Sequence, residues 1–154
     1  METKHNLLFE ESKIVAQVLP KSYDTEKDLL GQIILNNKII DEVIPYLPSN
    51  DVFYNQFHRS IWRGIIDLRS KGDGEITINA LVSEVPPSLA TKEIGYQITG
   101  LCENVATTAN AVQNAKILYE KWLLRNVIYK SEQVKNVINV KNSDAHALLE
   151  QLHR

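Results

Sequence analysis

The 154-residue chain contains one cysteine, Cys102, so it can form neither an internal disulfide nor a cysteine-rich zinc cage, which fits a reducing, cytoplasmic setting. Neither sign of charge prevails. Its 17 basic and 19 acidic side chains give a formal charge of -2, without the positive field that drives indiscriminate phosphate binding. No apolar run approaches the ~20 residues of a membrane helix, and Gly31 and Gln32 interrupt the longest, Leu29 to Leu35. Met1 to Glu11 lacks the basic leader, long apolar stretch and small-residue cleavage site of a secretion signal. What remains is an ordinary composition, 44% hydrophobic and 23% charged, as expected of one soluble unit.

Signatures of chemistry are also missing. Gly95-Tyr96-Gln97-Ile98-Thr99-Gly100 has two glycines at the interval of a nucleotide loop, but Leu101 and Cys102 stand where lysine and a hydroxyl residue would answer the phosphates. A helix with small residues at packing contacts explains it better. His5, His58, His146 and His153 include no pair three or four apart that would put two metal ligands on one helical face. His58, between Phe57 and Arg59 at a helix start, suits backbone hydrogen bonding or packing, and Cys102 suits a buried small hydrophobe without a local base. The adjacent carboxylates Glu10-Glu11 and Asp41-Glu42 diverge on a helix and read as solvated charges. We expect no catalytic residue, cofactor or metal in this chain.

Helical spacing is what the sequence does have, and no apolar-polar alternation persists long enough for a half-buried strand. Ser22 or Asp24 can cap a helix with Glu26 in its first turn and Leu29, Leu30, Ile33 and Ile34 on its apolar face, ending at Asn36 or Asn37. Ile39 to Leu47 predicts a short helix burying Ile39, Ile40, Val43, Ile44 and Leu47, with Pro45 disturbing its last turn and Pro48 stopping it. After a connector, Phe57 to Lys71 repeats Ile61, Trp62, Ile65, Ile66 and Leu68 at helical spacing and stops at Gly72-Asp73-Gly74. Thr77 or Asn79 can cap a helix through Val85, Pro86-Pro87-Ser88 turns the chain, and Thr91 can cap a helix holding Ile94, Ile98 and Leu101.

From Thr108 to about Ile138 there is neither proline nor glycine, which predicts one long helix. At 1.5 Å per residue it would reach ~46 Å, more than the ~40 Å diameter of a compact domain of this size, so it should protrude. Asn139 to Asn142 reads as a turn, Ser143 as a cap, and Asp144 to Arg154 as a returning helix with Ala145, Leu148, Leu149 and Leu152. The fold expected is all-α, a small helical head with a protruding antiparallel helical hairpin. The expected divisions are a polar leader over 1–18, the head over 19–106 and the hairpin over 107–154. The chain stops in a helical pattern without glycine or proline, as expected if it is cut from a longer protein.

Tyr119, Trp122, Leu123, Ile128, Tyr129, Val134 and Ile138 give the long helix more large apolar surface than one short returning helix covers, and aromatics with arginine have the composition of interface anchors. Burial inside the monomer is the competing reading. Arg125 with Lys116, Lys121, Lys130 and Lys135 could alternatively track phosphates, although Glu120 and Glu132 favour ion pairs along the helix.

Several segments in order resemble the N-terminal domain of the DnaB-type replicative DNA helicases. They are Leu19-Pro20 followed by Glu26, Leu30-Gly31 and Ile33; then Phe53-Tyr54, His58-Arg59 and Ile61; then Gly95-Tyr96, Leu101, Asn104-Val105 and Thr107-Thr108-Ala109-Asn110-Ala111; then Ala115, Ile117, Glu120-Lys121 and Arg125. Ala106 departs from a frequent proline, Asn114 from a frequent aromatic, and Pro86-Pro87 from a longer glycine-containing connection. The resemblance implies a noncatalytic domain whose hairpins pair, forming a dimer by itself and a trimer-of-dimers collar in a hexamer. It implies docking of primase and sometimes of a helicase loader, with weak or indirect DNA contact. ATP and Mg belong to a separate motor domain. On this basis Tyr119, Trp122, Leu123 and Arg125 are the expected self-association residues. Tyr96, Gln97, Ile128 and Val134 are the expected partner-docking residues, against the alternative that Ile128 packs on the head and Val134 on the returning helix. A freestanding helical adaptor, or the helicase-binding module of a primase, is the other function class that a head and hairpin would fit.

Overall fold

The computed structural model describes residues 19–72, 74–140 and 144–153, and among these there are helices and no strand. Helix α1, Tyr23–Leu35, starts at Ser22, whose Oγ accepts from the Thr25 N–H. Its buried stripe of Leu29, Leu30 and Ile33 follows from their helical spacing. Asn36 ends it, and the Asn37 side chain ties the end down by donating to Ile33 O at 2.8 Å and accepting from Ile76 N at 2.8 Å.

The single helix expected over Ile39–Leu47 is broken into a 3-10 turn (Asn37–Ile39), a one-turn helix α2 (Ile40–Val43) and a second 3-10 turn (Ile44–Tyr46). Pro45 has no N–H for the α-helical ladder, so the last turn tightens and the Leu47 N–H bonds to Ile44 O at 2.9 Å. Ile39, Ile40, Val43 and Leu47 are buried as expected, but Ile44, expected on the same buried face, is 36% exposed.

Helix α3, Gln56–Lys71, is capped by the Asn55 side chain on His58 N at 3.1 Å and ends at Gly72, whose φ of +137° only glycine adopts without strain. Helix α4, Ile78–Glu84, is capped by Thr77 and lies close against α3: a Cβ on Gly64 would sit 3.2 Å from the Glu84 Cβ. Lys71 Nζ meets Glu84 Oε1 at 2.8 Å across the same pair. After the Pro86 turn comes α5, Ile94–Cys102. Thr91 does not cap it directly; its Oγ1 accepts from Glu93 N, one turn ahead of the helix. The expected small-residue packing of α5 is slight, since a Cβ would find ordinary contact with Val82 at Gly95 and nothing at Gly100.

Helix α6, Ala111–Val140, is the long helix, and α7, Ala145–Leu152, follows it with Asp144 as cap. Gln151 and Leu152 of α7 line a groove with Lys130, Gln133, Val134, Asn136 and Val137 of α6. The leader over 1–18, Ser143 and positions 141–142 of the expected turn lie outside the described residues, while Asn139 and Val140, expected in that turn, instead continue α6.

The chain forms two compact units, which divide between Trp122 and Leu123 within α6. The unit Lys21–Trp122 holds the core, in which Trp62 packs 5.7 Å from Phe53 amid Leu29, Ile33, Ile65, Ile98 and Leu118. Each such side chain stabilises the fold by about 1.5–3 kcal/mol on burial. The other unit joins Pro20 to Leu123 and the residues beyond it.

Candidate functional site

Buried polar side chains, rather than a reactive cleft, hold the helices in place. Glu26, 2% exposed, accepts from Asn55 N at 3.1 Å, and its Oε1 lies 3.4 Å from His58 Nδ1. That joins the start of α1 to the start of α3. His58 itself is fully buried with its ring 4.7 Å from that of Tyr23, so it cannot reach a substrate. Arg59 reaches back to the carbonyls of Phe53 and Tyr54 at 3.1 and 3.2 Å, satisfying the loop that precedes its own helix.

Gln32 does the same at the other end of α1. It donates to Thr107 O at 3.0 Å and to the Asn110 side chain, and it accepts from Asn114 Nδ2 at 3.1 Å. Nearby, Gly31 backs onto the Leu101 carbonyl and the Val105 side chain, with no space for a Cβ. Pro20 O accepts from Arg125, which is 3% exposed, at 2.8 Å.

The residues expected to meet partners lie on α6 and α5. Tyr119 and Trp122 are half-buried, their rings 5.8 Å apart, and Trp122 packs on the edge of the core. Leu123 is exposed, as are Leu124, Val127 and Tyr129. Ile128 and Val134 are half-buried, and Val134 lines the groove between α6 and α7. On α5, Tyr96 is 80% exposed and Gln97 is exposed. Cys102 is half-buried rather than buried, and desolvation pushes its thiol pKa up, away from a nucleophile's range. Among the described residues no three acidic, histidine or cysteine side chains come together to hold a metal, and no helix is long and apolar enough to cross a membrane.

This geometry gives the ordered sequence pattern a physical meaning. Glu26 with His58, Arg59 with Phe53 and Tyr54, Gly31 with Leu101, and Arg125 with Pro20 are contacts within the pattern itself. The model of the DnaB-like helicase N terminal domain matches residues 18–120. The chain belongs to that family.

Relatives of this N-terminal domain family bear the description replicative DNA helicase DnaB. The protein from Rickettsia bellii is 29% identical over 135 residues, covering 82% of this chain and 26% of its own length. That from Mycobacterium leprae is 30% identical over 118 residues, covering 75% of this chain and 19% of its own length. This chain thus spans about a quarter or less of these relatives. The crystal structure of the N-terminal domain of DnaB helicase from Mycobacterium tuberculosis shares the fold, with a TM-score of 0.75 at 24% identity over 86% of this chain and 94% of that one. Asn114, a departure from the family's frequent aromatic, is accommodated because it is buried and hydrogen-bonded to Gln32.

Proposed function

We propose that this domain assembles a replicative DNA helicase and docks its partners, while ATP and Mg act in a motor domain elsewhere in the parent protein. The observation that supports this reading is the apolar surface of α6 beyond the core: Leu124 is 52% exposed and Val127 61%, with Leu123, Tyr129, Val137 and Ile138 also open to solvent. Side chains of this kind on one helix mark a protein interface more often than a solvent face. Two copies meeting through the same surface form a closed isologous dimer, and three dimers complete the hexameric collar. In this reading Trp122 and Leu123 are apolar anchors, Tyr119 braces Trp122, and Arg125 fixes the start of the exposed stretch through Pro20.

Primase contacts are assigned to two separate surfaces, Ile128 and Val134 on α6 and Tyr96 and Gln97 on α5, with a helicase loader as a further partner. Ile128 and Val134 point about 120° apart on an ideal helix, so a single partner must wrap the helix to use both. With a net charge of -2, DNA contact by this domain is weak and fades with salt. Sedimentation of the chain over a range of concentrations tests the central claim: a reversible dimer supports it, and a monomer at all concentrations overturns it.

A further inference from the structure

The unit Lys21–Trp122 also carries a cavity of about 310 Å³ lined by Lys21, Tyr23, Glu26, Tyr54, Asn55 and Gln56. Its chemistry is unlike that of the apolar surface on α6. Glu26 lines it with a carboxylate that is 2% exposed. Oε1 of that carboxylate accepts from Asn55 N at 3.1 Å and lies 3.4 Å from His58 Nδ1. Two tyrosines contribute aromatic faces, and the Lys21 ammonium already lies 4.6 Å from the Tyr54 ring centroid.

We propose that this cavity receives a cationic side chain, an arginine or lysine of a protein partner, which displaces Lys21. A buried carboxylate beside an aromatic face is the arrangement that favours such a group, through a charge-assisted hydrogen bond to oxygen and attraction to the ring. Lys21 is an exposed, long side chain and marks where a cation sits on the tyrosine wall. The other nearby cation, Arg59, is held by the Phe53 and Tyr54 carbonyls and lies 3.7 Å from Asp51, and it does not line the cavity. A carboxyl group in the lining disfavours phosphates and carboxylates at that wall.

Titration of the 154-residue chain at fixed ionic strength, followed by amide NMR, tests this. The probes are acetyl-Gly-Arg-Gly-amide, its lysine counterpart, its citrulline counterpart as a neutral isostere, and guanidinium chloride. Saturable shifts at Asn55 and Gln56 are expected with the arginine and lysine peptides and at least tenfold weaker binding with citrulline. Lys21→Met should tighten binding about threefold, and Tyr54→Leu and Glu26→Gln should each weaken it about tenfold. Tyr54→Leu and Lys21→Met keep the claim testable even if Glu26→Gln fails to fold. Equal binding of citrulline, shifts that never saturate, or an affinity unmoved by Lys21→Met and Tyr54→Leu would overturn the site. Guanidinium binding as tightly as the arginine peptide would overturn the protein partner in favour of a free cation. None of these residues lies on α6 or α7, so a failure here leaves the assembly reading untouched.

Discussion

Gly31 in α1 stands against the backbone carbonyl of Leu101 in α5 so closely that no side chain fits between the two helices. The obstacle is main chain, which cannot rotate aside as a flexible side chain would. We predict that Gly31→Ala destabilises the fold by about 3 kcal/mol, the upper end for overpacking, despite alanine's better helix propensity. Urea unfolding measures it; a loss under about 1 kcal/mol would mean that α1 and α5 can separate without penalty.

The Glu26 carboxylate should be replaceable only by a group that still accepts a hydrogen bond. Glu26→Ala strips the acceptor from both Asn55 N and His58 and is expected to cost about 2–3 kcal/mol. Glu26→Gln retains a carbonyl oxygen at that place and should cost less than half as much. Equal losses in thermal unfolding would show that the carboxylate's volume, not its acceptor, is what the site uses.

At the start of the second unit, Arg125→Ala should cost about 2 kcal/mol, because it leaves the Pro20 carbonyl without the guanidinium that it now meets. Lysine in its place keeps a charge but loses the planar fork and should recover only part of the loss. Full recovery by Arg125→Lys in denaturant melts would reduce the interaction to charge alone.

Trp122→Ala should weaken self-association by roughly 2 kcal/mol, about thirtyfold in dissociation constant. Because Trp122 also packs on the core edge, Leu123→Glu is the cleaner companion: Leu123 is exposed, so folding should be unchanged while the dimer weakens about tenfold. Sedimentation combined with thermal melts separates the two effects. Unaltered association in both variants would remove this stretch from the interface.

The Cys102 thiol carries a pKa raised by desolvation, so less of it is thiolate near neutral pH than in an unfolded chain. Iodoacetamide should therefore alkylate the native protein more slowly than the urea-unfolded one. The sign for stability follows: a folded-state pKa above the unfolded value gives a contribution that is complete below the unfolded pKa and disappears as pH rises through the folded one. Alkylation as fast in the native as in the unfolded chain would contradict the shift.

Helix ends were legible in the sequence because capping is local chemistry: Ser22, Thr77 and Gly72 do what their residue types and neighbours require. The stripe Leu29, Leu30 and Ile33 was legible for the same reason of spacing. Glu26 was not, since a carboxylate in a first turn ordinarily faces solvent, and its burial depends on Asn55 and His58, 29 and 32 residues away. Gln32 offered a clue, a polar residue inside an otherwise apolar stripe, but its partners Thr107, Asn110 and Asn114 cannot be inferred from spacing. The split of Ile39–Leu47 turned on how far one proline's missing N–H propagates, which local pattern does not set.

The hydrogen bond between Asn114 and Gln32 joins residues 82 positions apart, and that distance has a consequence during synthesis. A ribosome adding ~5–20 residues each second needs roughly 4 to 16 s to travel this interval. Through that time α1 has emerged without the partners for its glutamine, and Pro20 waits longer still, 105 positions, for Arg125. Nascent chains halted before Asn114 should be digested readily by protease, and those long enough to expose Arg125 should resist it.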